Sequence, residues 1–221
     1  MNLLEYTMNY RDLGCSLSQN DVDSMKGWLS DNIIQFFGEL LEHNCKSENS
    51  NINIQFIHPV ASNYLREDPE AILDFLTLTE NAWILCPIHD SNEYYPFGSH
   101  WSLLVISQNL KISLYLDSLL PPDVSTSVQL QYAQQNNNII CSYFNWKNEF
   151  RIIPCIQQKD SASCGVYVIF NMLSVCDYLL KNDLSWIDCG VSNALVNERP
   201  ENLREILQVE VDKYLRDRGR K

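Results

Sequence analysis

The chain has 221 residues, 45% hydrophobic and 20% charged, with 7 Gly and 8 Pro; this globular composition buries a core without disulfide or metal staples. Its 16 Lys and Arg against 28 Asp and Glu leave a net charge of −12 at pH 7, which repels phosphate backbones and excludes general nucleic-acid binding. No apolar run approaches the ~20 residues that span a bilayer, and the opening MNLLEYTMNYRD lacks a basic stretch followed by an apolar one, so secretion is not supported.

The expectation is therefore an intracellular protein, in the cytoplasm or nucleus, with no membrane partner. One domain over residues 1–221 is expected from the length.

In chain order, residues 1–30 hold short apolar pieces and turn residues ending in Gly27-Trp28-Leu29-Ser30. From Asp31, Ile33, Ile34, Phe37, Leu40 and Leu41 recur at helical spacing, with Ser30 or Asp31 as the N-cap. KSENSNIN (46–53) reads as a polar loop. Asp68-Pro69-Glu70 supplies a capping acid and a proline at the first helical position, so AILDFL is expected to be a short helix. WILCPI (83–88), WSLLVIS (101–107) and ISLYLD (112–117) are short, apolar and rich in β-formers, and Asn109-Leu110-Lys111 would turn the last two into a hairpin. QLQYAQQNNNII (129–140) is helical or loop-like, and FRIIP (150–154) reads as one more strand. After a polar loop, Cys164-Gly165 opens a run in which Val168, Met172, Val175, Cys176 and Leu179 make a helix apolar on nearly all sides, hence buried. Leu203, Ile206, Leu207, Tyr214 and Leu215 mark an amphipathic C-terminal helix before the basic RDRGRK. Helices flanking a few central strands give an α+β class.

The eight cysteines contain no CxxC pair, so zinc-ribbon spacing is absent and no metal site is expected. Seven are read as buried structural thiols among apolar neighbours, as in WILCPI and NIICSYF. Cys164 differs, because the first N–H groups of a helix carry partial positive charge that favours a thiolate. A thiolate attacks carbonyls when an imidazole takes its proton. Gly165 beside it would remove a side chain next to the reacting carbonyl.

Among His43, His58, His89 and His100, the first two read as solvated or loop residues, and His89 faces a cleft or solvent. His100 starts a strand after a loop (SNEYYPFGS), which suits a general base. Asp117 follows it by 17 residues, and a hairpin over 101–117 would return it beside His100 as an orienting carboxylate. Gln158 precedes Cys164 by six residues and could fold its amide over the loop, with the Cys164 N–H as a second oxyanion donor.

Together, WLSDNII (28–34), GSHWSLLV (98–105), LYLDS (114–118) and QKDSASCGVYV (158–168) resemble the ubiquitin-like-protein protease family, the Ulp/sentrin-specific cysteine proteases, in their order Trp, His, Asp, Gln, Cys. The resemblance implies a papain-like (adenain-like) fold, with a mixed central sheet flanked by helices and a nucleophile at the start of a buried helix. It makes Cys164 the nucleophile, His100 its base, Asp117 the orienting acid and Gln158 part of the oxyanion hole. Trp28 and Trp101 would cover a Gly-Gly tail, since only glycine lacks the Cβ that would clash between two indole faces. Asp31 would sit at the mouth of that tunnel. No cofactor is implied. Ser163 departs from the family, which commonly has Asp just before the nucleophile.

IHDSN ahead of GSHWSLLV is similar to the deneddylase branch. The implied activity is thiol-dependent cleavage after the C-terminal Gly-Gly of a ubiquitin-like modifier, on precursors or isopeptide conjugates. Nedd (Rub) is the favoured partner, SUMO the second and ubiquitin the third, and the enzyme is expected as a monomer. The alternatives are a SUMO-specific protease of the same family, a related cysteine acetyltransferase, and a binding module that has lost turnover.

Overall fold

Five strands, β1 (Asn53–Phe56), β2 (Ala82–His89), β3 (Trp101–Ser107), β4 (Ile112–Leu116) and β5 (Glu149–Ile152), form one sheet in chain order. The outer pairs β1–β2 and β4–β5 are parallel, and the inner pairs β2–β3 and β3–β4 are antiparallel. The sheet is therefore mixed. The computed structural model describes residues 13–74, 76, 82–91, 98–191 and 200–218.

The central strands are apolar on both faces because helices cover both. Leu103 and Val105 point into a core shared with α2 (Asp31–Glu48), α6 (Cys164–Leu180) and α8 (Pro200–Arg218). Leu104 and Ile106, on the opposite pleat, join a second core with α4 (Pro69–Leu73) and α5 (Val128–Tyr143). This alternation follows from the two-residue period of a strand, and it explains why WSLLVIS is a continuous apolar run. Helix α6 packs between β3, α2 and α8, and all but the last of its 17 residues are buried. Truncating a side chain at its centre, such as Phe170, carries the usual large core penalty of about 3–5 kcal/mol.

The expected helices, strands and hairpin are present, with differences at their edges. Helix α2 runs through Glu48, and Asn53 already begins β1, where the sequence reads as a loop over 46–53. β1 is a four-residue edge strand with only Ile54 buried, so it carries no alternation to read. Its Phe56 ring sits on Gly38 of α2, where any Cβ would collide with it. Helix α4 stops at Leu73, short of the expected AILDFL. The six-residue helices α1 (Gln19–Ser24) and α3 (Pro59–Tyr64) carry too little periodicity to be seen in advance. His58 is the N-cap of α3, its Nδ1 accepting the Val60 N–H at 2.9 Å. A last short helix, α7 (Trp186–Cys189), buries Trp186. The starting peptide 1–12, the loop centre 92–97 and the basic end 219–221 lie outside the described residues. Among the described residues, no helix is long and apolar enough to cross a membrane.

Candidate active site

The β3–β4 hairpin builds one half of the site. Its register pairs Leu103 with Leu116, so the residues flanking the open end, His100 and Asp117, meet. His100 Nε2 lies 2.6 Å from Asp117 Oδ1, and both residues are buried. Asp117 is itself held: the Tyr115 hydroxyl donates to Oδ2 at 2.8 Å and the Leu119 N–H donates to Oδ1 at 2.8 Å. The backbone of His100 is fixed from the other side, its N–H donating to Asp90 Oδ1 at 3.0 Å, while the Ser99 N–H and hydroxyl also donate to Asp90. Burial opposes the charge on His100, but the hydrogen bonds to Asp117 and Cys164 outweigh it and raise the imidazole to about 9. The Asp90 carboxyl is penalised by burial, yet its bonds from Ser99 and His100 pull it below the usual carboxylate range.

Cys164 is the first residue of α6 and is buried. Its N-cap, Ser163, makes no side-chain bond to the helix, so no side chain competes for the partial positive charge of the first turn. The Ser163 hydroxyl instead donates to Asp160 Oδ2 at 2.9 Å, and the Ala162 and Ser163 N–H groups both donate to Asp160 Oδ1 at 2.8 Å. The carboxyl of Asp160 is lowered first by the Ala162 N–H. The carboxylate that organises this loop thus sits three residues before Ser163.

Gln158 is buried and its amide is oriented at both ends. Its Oε1 accepts from the Ser118 hydroxyl at 2.7 Å, and its Nε2 donates to the Asp160 carbonyl at 2.7 Å. An amide group held this way keeps one further N–H for another acceptor.

A cavity of about 730 Å3 opens on Cys164 and His100, and Trp101, Trp28, Asp31 and His89 also line it. The two tryptophans differ. Trp101 is 8% exposed and stacks on His89 at 4.0 Å between ring centroids, whereas Trp28 is 50% exposed. Burial holds the His89 imidazole below its ordinary value, against the nearby Asp90 and Asp31. Gly98, at φ +54°, lets the chain pass so close to the His89 ring that a Cβ would overlap it. Trp28 lies between α1 and α2, a connection pinned by Asp21, whose Oδ1 accepts from the Ser30 hydroxyl at 2.8 Å and the Asn32 amide at 3.2 Å.

A Cβ at Gly165 would stand 3.0 Å from Leu29 Cβ, a tight contact, so the glycine eases the approach of the segment after Trp28 to α6. Among the cysteines expected to be buried, Cys155 is half-buried and Cys189 is exposed. His89 belongs to the cavity wall and stacks on Trp101. Sequence reasoning gave no role to Tyr115, Ser118, Asp160 or Arg204. Asp90 stood inside the quoted IHDSN and Asp160 inside QKDSASC, so both had a signal; Arg204, distant in the chain, had none.

Chemically, the arrangement presents a thiol, an imidazole on the same cavity, a carboxylate bonded behind the imidazole, and N–H donors at the start of a helix. Among the described residues, no grouping of His, Cys, Asp and Glu could hold a metal ion.

Residues 27–219 match the Ulp1 protease family, C-terminal catalytic domain. The chain belongs to this family. NEDD8-specific protease 2 of Schizosaccharomyces pombe is 27% identical over 195 residues, covering 82% of this chain and 45% of that protein, so the chain spans less than half of that relative's length. Sentrin-specific protease 8 of Homo sapiens is 28% identical over 171 residues, covering 72% of this chain and 77% of that protein. Two solved structures share the fold. The SUMO protease Ulp1, with its catalytic cysteine oxidised to a sulfinic acid, has a TM-score of 0.60 at 20% identity, covering 96% of this chain and 92% of its own. The Xanthomonas campestris effector XopD, bound to ubiquitin, has a TM-score of 0.64 at 18% identity, covering 91% of this chain and 95% of its own.

Proposed function

We propose that the chain is a cysteine protease that cleaves after the C-terminal Gly-Gly of a ubiquitin-like modifier, with Nedd (Rub) preferred and SUMO second. The observation that carries the reading is that His100 is bonded to Asp117 at 2.6 Å and shares one cavity with Cys164, which adds to the raised affinity of its imidazole for a proton, the arrangement a thiol hydrolase needs. The relatives named for NEDD8 and sentrin support the choice of modifier class.

In the proposed reaction the Cys164 thiol proton passes to His100, and the sulfur attacks the carbonyl carbon of the terminal glycine. The oxyanion that forms is held by the Gln158 amide and the Cys164 N–H. His100 then protonates the departing amine as the C–N bond breaks, leaving a thioester on Cys164. Water, deprotonated by His100, attacks the thioester, and the thiol and a free glycine carboxylate are released. Asp117 keeps the imidazole oriented and stabilises its charged form. Trp101, Trp28 and Asp31 line the passage for the extended tail. Residues 1–221 act as one catalytic domain, as a monomer and without a cofactor.

The test is a set of modifiers (Nedd, SUMO and ubiquitin) carrying C-terminal fluorogenic amides. Release of fluorophore, fastest from Nedd, is the expected result. Transfer of an acetyl group from acetyl-CoA without amide cleavage would establish the acetyltransferase alternative.

A further inference from the structure

Every residue given a role above lies before the end of α6, yet α8 also reaches the site. Arg204, half-buried early in that helix, donates Nη1 to the Met25 carbonyl at 2.6 Å and Nη2 to the Ala162 carbonyl at 3.4 Å. These carbonyls belong to two separate walls. Met25 is the C-cap of α1, three residues before Trp28, and Ala162 stands two residues before Cys164. The same two segments touch again where Leu29 closes on Gly165. Burial opposes the charge on the guanidinium and lowers its affinity for the proton, while Asp160 and Cys164 lie within electrostatic reach and partly offset this.

A planar fork with donors on separate nitrogens suits this bridging, and a single ammonium does not reproduce it. We propose that Arg204 is a positioning residue: it locks the nucleophile loop onto the Trp28 wall, so that thiol, oxyanion donors and tail passage hold one geometry. The Asp160 carboxylate completes the device by binding the Ala162 and Ser163 N–H groups of the same loop. This rests on the hydrolase reading and extends it to a helix that contributes no reacting group.

The experiment compares Arg204→Met, Arg204→Lys and, as a control on the exposed side of α8, Glu205→Gln. Three quantities are read for each: kcat and KM on the fluorogenic modifier amide, the rate of Cys164 alkylation by iodoacetamide, and the melting temperature. Alkylation is followed by peptide mass, with the exposed Cys189 as internal reference. Loss of two charge-assisted bonds predicts that folded Arg204→Met loses about tenfold or more in kcat/KM, with KM raised and kcat lowered together. Its Cys164 alkylates more slowly than in the wild type while Cys189 is unchanged. Arg204→Lys recovers part of the loss, and Glu205→Gln matches the wild type. Should Arg204→Met fail to fold, Arg204→Lys decides: reduced kcat/KM at an unchanged melting temperature supports the proposal, and wild-type kinetics overturns it. A folded Arg204→Met with wild-type kcat, KM and alkylation also overturns it, as does a loss explained wholly by the unfolded fraction. If the wild type cleaves none of the modifiers, the hydrolase reading fails, and the alkylation rates still decide what Arg204 does.

Discussion

The two halves of the active site are held in different ways. His100 and Asp117 sit at the open end of one hairpin, 17 residues apart in sequence; sheet register brings them together, and nearby groups such as Tyr115 and Asp90 hold them 2.6 Å apart. Cys164 comes from a helix that the sheet does not pair with, and its loop is aligned by side-chain tethers from distant segments: Ser118 to Gln158, Arg204 to Ala162, and Leu29 against Gly165. A base and its acid can thus be built into a sheet locally. The proposed nucleophile has to be docked by long-range contacts, which makes it the half more sensitive to remote substitution.

Variants that separate the halves sharpen this contrast. The largest effect is expected from Cys164→Ala: cleavage falls by about 10⁴-fold or more, while binding of the modifier, measured by titration, persists. Asp117→Asn strikes the hairpin half and should cost about 10²–10⁴-fold in kcat. It also carries a pH signature. His100 titrates at about 9 in the fold, against ~6.5 when unperturbed. Because the folded value is the higher one, the stability this pair contributes is fully present below about 6.5 and is lost as pH rises through about 9. NMR titration should find the His100 midpoint lower in Asp117→Asn, with a smaller stability loss between those pH values; an unmoved midpoint would detach Asp117 from the imidazole. Gln158→Ala acts on the docked half and should lower kcat by about 10²-fold with little change in KM. The smallest expected effect is Trp101→Ala, which should raise KM for Gly-Gly substrates by about tenfold and lower the melting temperature only modestly. Unchanged kinetics in a folded Trp101→Ala would make the indole a packing residue alone.

The same contrast explains what was legible in the sequence. Continuous apolar strands and a buried helix announce themselves through period and composition, so β2, β3, β4 and α6 stand where the residues place them. The hairpin geometry follows from its short turn, so the His100–Asp117 contact could be anticipated from spacing. β1, α1 and α3 were invisible because four to six residues carry no usable periodicity and their burial is decided by neighbours remote in the chain. The organising carboxylates Asp90 and Asp160 sit within recognisable motifs, but their roles depend on which backbone N–H groups the loops turn toward them. Arg204 is legible only in three dimensions, since its partners are Met25 and Ala162.

The most direct measurement is peptide mapping of the adduct formed with a Nedd modifier bearing a C-terminal electrophile in place of the scissile amide. A single adduct on Cys164, lost in Cys164→Ala and strongly slowed in His100→Ala, is the predicted result. An adduct on the exposed Cys189, or capture at Cys164 that is indifferent to removal of His100, would contradict a thiol activated by that imidazole.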